Sequence, residues 1–255
     1  MNAREPVFFF VHLQKTAGTS LVFRLRHHFG REGVYPRDSD KTDPGAVISV
    51  DHLSARWRDD GESIRVITGH FPLCTTEVLG GAFTTLTVLR EPVERTLSYL
   101  RHHKDFEADD DRTIEEVYAD PFRFHGLVHN HMVKMFSLNA DEMTAGMLTR
   151  VEFADAHLER AKKNLASVDM VGVQERFEEF CTELERRYGW DLGPPTVMNR
   201  TQSIDVPDAF RDRIVDDNAL DVELYEFAVR LVRERRVSAT GEAAPDRARG
   251  TRPPG

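Results

Sequence analysis

Short apolar or β-branched runs alternate along the chain with longer segments whose apolar residues recur every three to four positions. The runs are Val7–Val11, 64–68, Phe83–Leu89 and 168–173, and each leads into residues that start a turn or a helix. Apolar stretches of this length, bounded by turn chemistry, predict buried strands. Residues 47–50 form a weaker fifth candidate. The helical stripes are clearer. Ala154, Leu158, Ala161 and Leu165 share one helical face, as do Phe177, Phe180, Cys181, Leu184 and Tyr188, and then Leu220, Leu224, Phe227, Ala228 and Leu231. Pro92, just beyond Phe83–Leu89, suits the first turn of a helix reaching to about Lys104. Strands separated by segments long enough for crossover helices predict an α/β domain, with a central parallel sheet flanked by helices on both faces.

Two segments lack this patterning. Residues 31–45 are polar and punctuated by Gly and Pro, which predicts a surface excursion. Residues 237–255 are rich in Ala, Gly, Pro, Arg and Asp and are expected to form a disordered tail, leaving 1–236 as one domain. A chain of 255 residues buries roughly three quarters of its unfolded surface, so Cys74 and Cys181 are expected as buried thiols, neither bridged nor metal-bound. The net charge of −9 argues against nucleic acid as a partner and against a long polyanionic substrate. The apolar run Val7–Val11 is too short for a signal-peptide core, and no stretch approaches the ~20 apolar residues of a membrane helix. These features predict a cytoplasmic protein without stable membrane insertion; they leave its oligomeric state open.

Candidate chemistry begins where the first strand ends. His12-Leu13-Gln14-Lys15-Thr16-Ala17-Gly18-Thr19-Ser20 links that strand to a helix start. Amides at a helix N-terminus point outward together and the helix dipole favours an anion there. Thr16, Thr19 and Ser20 add hydroxyls, Gly18 lets the backbone approach closely, and Lys15 supplies a charge, so the loop suits a phosphate-like group. It is not the G-x-x-x-x-G-K-[ST] loop of nucleoside triphosphatases, because the Lys precedes the Gly. The other strand ends read Gly69-His70, Arg90-Glu91 and Gln174-Glu175, with no Asp to hold the magnesium of a phosphotransferase. Arg90, at the end of its strand, offers a fork-shaped clamp for a phosphate, with Ser98 two helical turns later. His129-Asn130-His131 falls on an expected helix, where its two histidines project apart, so no metal site is expected. His27-His28 and His102-His103 fall at predicted helix ends.

Taken in order, these segments resemble a known family. His-Leu-Gln-Lys-Thr-Ala-Gly-Thr-Ser at 12–20 is similar to the 5′-phosphosulfate loop, H-x-x-K-T-[AG]-G-[TS]-[ST], of the sulfotransferases that include the heparan sulfate 2-O- and 6-O-enzymes. Leu89-Arg90-Glu91-Pro92-Val93-Glu94-Arg95-Thr96-Leu97-Ser98 resembles their L-R-[DE]-P-V-x-R-x-x-S segment, which binds the 3′-phosphate. Residues 171–177 resemble a third block, a strand leading into a G-[LV]-x-E-x-[FL] helix start. The resemblance implies a P-loop-like three-layer α/β sandwich and an enzyme using 3′-phosphoadenosine 5′-phosphosulfate (PAPS), without metal, to sulfate a hydroxyl-bearing acceptor and release the bisphosphate PAP. It implies that Lys15, Thr16, Ala17, Gly18, Thr19, Ser20, Arg90 and Ser98 bind the cofactor, joined by Asn199, Arg200 and Thr201 in a loop near the nucleotide. Thr68-Gly69-His70-Phe71 is similar to the segment carrying the catalytic base of the 2-O-enzymes, a role that suits the pKa of His70. Acceptor contacts are expected from 31–61 and 105–139. Two alternatives stay open: a small-molecule kinase or nucleoside triphosphatase, and a nucleotide-binding module without catalysis.

Overall fold

A computed structural model describes residues 6–106, 110–195 and 205–240. The first half of the chain runs β1 (Val7–Val11), α1 (Gly18–Phe29), β2 (Val34–Tyr35), α2 (Val50–Asp60), β3 (Val66–Ile67), α3 (Thr75–Leu79) and β4 (Phe83–Leu89). Then come α4 (Pro92–Phe106), α5 (Ile114–Ala119), α6 (Pro121–Arg123), α7 (His131–Ser137) and α8 (Asp155–Ser167). The last elements are β5 (Met170–Val173), α9 (Phe177–Tyr188), α10 (Asp208–Asp217) and α11 (Ala219–Thr240).

All strand pairings are parallel, in the order β2-β3-β1-β4-β5. β1 is buried along its whole length because both faces of the sheet are covered. Phe8 and Phe10 face one layer with Leu21 and Leu25 of α1 and Phe180 and Leu184 of α9. Phe9 and Val11 face the other, with Met132 and Phe136 of α7, Leu158 and Leu165 of α8, and Leu224 of α11. The fold is therefore the expected α/β arrangement, a parallel sheet between helical layers. No helix among the described residues is long and apolar enough to cross a membrane.

Several elements differ from the sequence expectation, each for a local reason. Residues 47–50 are not a strand: Asp43 accepts from the amide of Gly45 to open a 3-10 turn over Pro44–Val47, and Ser49 then caps α2 through the amide of His52. β2 lies within the expected surface excursion. Tyr35 is fully buried there, its hydroxyl donating to Ala46 O (2.8 Å), and the Arg37 guanidinium is tied to Asp60 and Ser63. β3 keeps only two residues of 64–68. β5 starts late because Val168 ends α8 and the Asp169 carboxylate accepts from the amide of Thr85. His129 to His131 is not helical throughout: Asn130 is left-handed (φ 45°) and α7 begins at His131. α11 continues to Thr240, past the expected start of the tail, and 241–255 lie outside the described residues.

The segment between α6 and α7 is a π-turn, Phe124–Val128. Its carbonyls are met by two buried cations: Arg95 donates to Leu127 O and Val128 O, and Lys134 to His125 O and Gly126 O. Arg95, which lies within the second motif, thus serves the scaffold.

Candidate functional site

β1 pairs with β3 on one side and β4 on the other, so its carboxyl end lies where chain connections leave in both directions. That is the edge at which open α/β sheets bind ligands. From His12 the backbone leaves the sheet, and Lys15 (φ 66°) and Ala17 (φ 65°) both take the left-handed conformation. Left-handed residues in such a turn gather successive N–H groups into a hollow that suits an anion. The Thr16 hydroxyl donates to Leu13 O (2.9 Å) and stiffens the turn, so Thr16 can offer a ligand only its amide.

α1 begins without a side-chain cap and with no acid in its first turn. Its first helical hydrogen bond is donated by Leu21 to Ala17 O (3.1 Å), which leaves the amides of Gly18, Thr19 and Ser20 without helical acceptors. Ser20 is buried and Thr19 exposed. Gly18 has a specific steric cause: a Cβ there would lie 1.8 Å from Nε2 and 2.0 Å from Cδ2 of His12.

The His12 ring stacks on Phe10, and its centroid lies 4.4 Å from that of His70. His70 follows β3 through Gly69, whose φ of 120° favours glycine. The His70 amide donates to Val47 O (2.7 Å), and its Nδ1 is 2.8 Å from His12 O. A carbonyl only accepts, so Nδ1 carries the proton and Nε2 is the basic nitrogen. Burial lowers the pKa of His70, the bond to His12 O opposes this, and Lys15 lowers it further. His12 is pushed well below the ordinary value by burial, then by His70 and Lys15. Both shifts favour the neutral ring.

Lys15 is half-buried, and its pKa falls to about 8, first through burial and then through Arg90 and Arg101, with Asp105 opposing. Arg90 Nη1 donates to Lys15 O (3.2 Å), which fastens the start of α4 against the loop, and its Nη2 is 3.9 Å from Glu94. Ser98 is buried farther along α4. The two acids at the strand ends are engaged. Glu91 accepts from the amides of Val93 and Glu94 at the start of α4, and Glu175 accepts from the Tyr225 hydroxyl (2.8 Å).

The structure therefore brings Lys15, the Gly18–Ser20 amides, Arg90 and His70 to one sheet edge, with Ser98 on the helix that follows Arg90. Asn199, Arg200 and Thr201 lie outside the described residues. The His12 ring and carbonyl, packed against His70, belong to this edge, and Arg101 acts electrostatically on Lys15; neither residue stood out in the sequence. His12 was visible only as the first residue of the loop motif, and Arg101 only as one turn beyond Ser98. Of the two regions expected to supply acceptor contacts, 31–61 holds β2 and α2, and 105–139 holds α5, α6, the π-turn and α7. Two cavities, of about 340 and 430 Å³, lie elsewhere, the larger at the opposite edge among Phe8, Phe29, Tyr188 and Trp190. Among the described residues no group of three or more His, Cys, Asp or Glu could hold a metal ion.

No protein-family model matches the chain, and no curated protein matches it. Among solved structures it is similar to the crystal structure of a sulfotransferase from Alicyclobacillus acidocaldarius, with 16% identity and a TM-score of 0.44 over 87% of this chain and 97% of that one.

Proposed function

We propose that the chain is a sulfotransferase that binds PAPS at the carboxyl edge of β1 and passes its sulfuryl group to a hydroxyl. The reading rests on one observation: an uncapped helix N-terminus, entered through left-handed Lys15 and Ala17, shares the carboxyl edge of the sheet with the half-buried Lys15 side chain and with His70, whose Nδ1 is tied to His12 O. The amides of α1 without helical acceptors suit the oxygens of a phosphosulfate, and Gly18 lets the His12 ring pack behind them. Lys15 and the Gly18–Ser20 amides would hold the phosphosulfate, and Arg90 with Ser98 the 3′-phosphate. Bound there, PAPS supplies an activated sulfuryl group with PAP as the leaving group.

This chain's residues supply the rest. His70 Nε2 takes the proton of the acceptor hydroxyl, and the resulting imidazolium is held through Nδ1–H by His12 O. Lys15 and the amides, fixed before any reaction, neutralise charge on the oxygen linking sulfur to the departing phosphate. Arg90 restrains the nucleotide end and so sets the line of attack. The strand-end acids are engaged in capping and in the bond to Tyr225, which favours a neutralising role for Lys15 over one for a metal held by carboxylates.

Titration calorimetry tests the reading. PAP is expected to bind, and ATP with magnesium to bind far more weakly; the reverse order identifies a kinase or triphosphatase. Labelled PAPS incubated with a cell extract is expected to label a hydroxyl-bearing molecule in the presence of the protein. PAP binding without any transfer identifies a nucleotide-binding module instead.

A further inference from the structure

Among the described residues, Arg101 of α4 has no ion-pair partner. Arg101 lies one helical turn beyond Ser98, and Asp105 lies one turn beyond Arg101, so the three follow one another along one side of the helix. The start of that helix is pinned to the loop by the bond from Arg90 to Lys15 O. Arg101 is half-buried, its Nε is buried with no hydrogen-bond partner, and it forms no ion pair among the described residues. Arg24, Arg37 and Arg112 have carboxylate partners in Glu178, in Asp60, and in Asp110 with Asp120. Arg101 shares a buried Nε lacking a hydrogen-bond acceptor with several other arginines, Arg26, Arg95 and Arg160 among them, and differs from them in lying on α4 one turn beyond Ser98. A partly desolvated guanidinium without a partner is costly, and a bound anion removes that cost.

We infer that Arg101 is the third cation of the site and holds the non-bridging oxygens of the sulfuryl group. This rests on the function proposed above. The phosphosulfate carries one negative charge on phosphorus oxygens and one on sulfur oxygens. Lys15 and the α1 amides answer the first, and Arg90 lies at the nucleotide end. Arg101 is close enough to Lys15 to bias its protonation, which puts the spare guanidinium near the ammonium. Its planar fork suits two oxygens of a tetrahedral anion better than a point charge does.

The test uses nucleotide binding and needs no acceptor. PAP lacks the sulfuryl group and PAPS has it, so Arg101→Ala is expected to weaken PAPS about 10- to 100-fold, the range of a charge-assisted contact, and PAP by no more than about threefold. Arg101→Lys is expected to recover part of the PAPS affinity, since it restores charge without the fork. It also serves if the Ala variant does not fold, because the PAPS-to-PAP affinity ratio must then still fall. Equal weakening of both nucleotides, or no change in either, overturns the assignment of Arg101 while leaving the site in place. A wild-type protein that binds neither nucleotide overturns the proposed function itself, and this inference with it.

Discussion

Lys15 links the electrostatics of the site to a measurable proton count. Burial and the neighbouring Arg90 and Arg101 lower its pKa from 10.5 to about 8. Burial and these cations make the free protein disfavour the charged ammonium relative to water, an effect that solvent partly screens at this half-exposed side chain. An anion lodged between Lys15 and the α1 amides reverses that bias, so the nucleotide complex holds the proton. The sign follows directly: the form that binds is the protonated one, present below pH 8 and lost above it. PAP binding should therefore take up close to no protons at about pH 6.5, about half a proton at pH 8, and about 0.9 at pH 9. By the same linkage the affinity should fall about tenfold between pH 7 and pH 9. Calorimetry in buffers of different ionisation heat reads the uptake, and Lys15→Arg should abolish it, because a guanidinium does not titrate in this range. Zero uptake at pH 9 with an affinity flat from pH 7 to 9 would refute the placement of Lys15 against the anion.

Four further outcomes follow from contacts already described. Gly18→Ala drives a methyl into the His12 ring, which is wedged against Phe10 and His70; overpacking of about 1–3 kcal/mol should appear as a lower melting temperature together with weaker PAP binding. His70→Ala should leave PAP affinity within about twofold and cut PAPS turnover by about two to four orders of magnitude. In the wild type, the acid limb of the pH–rate profile should lie below the ordinary histidine pKa, because burial lowers that of His70. Lys134→Met strips the donor from two buried carbonyls of the π-turn and should cost about 2–3 kcal/mol in denaturant unfolding. Unchanged stability in that variant would show that water replaces the ammonium.

β1, β4 and the helix starting at Pro92 were legible because each follows from a local pattern: an apolar run, a β-branched run, a proline at the first helical turn. The loop from His12 to Ser20 was legible for the same reason. Small and hydroxyl residues between a strand and a helix already imply exposed amides. What local pattern could not supply was neighbourhood. Tyr35 reads as part of a polar excursion until Ala46 and the sheet bury it, and residues 47–50 read as a strand until Asp43 and Ser49 cap turns around them. Nothing near Gly18 in sequence demands a glycine there; the demand comes from the His12 ring folded back over it.

The sequence alone determined β1, β4 and the helix from Pro92, and which residues carry suitable chemistry, since helix periodicity, capping and turn propensity act over a few residues. The tertiary structure decided that Lys15, His70 and Arg90 share an edge. That sharing depends on β1 pairing with both β3 and β4, and those pairings are selected by burial of the whole sheet between two helical layers, an energy no short segment contains.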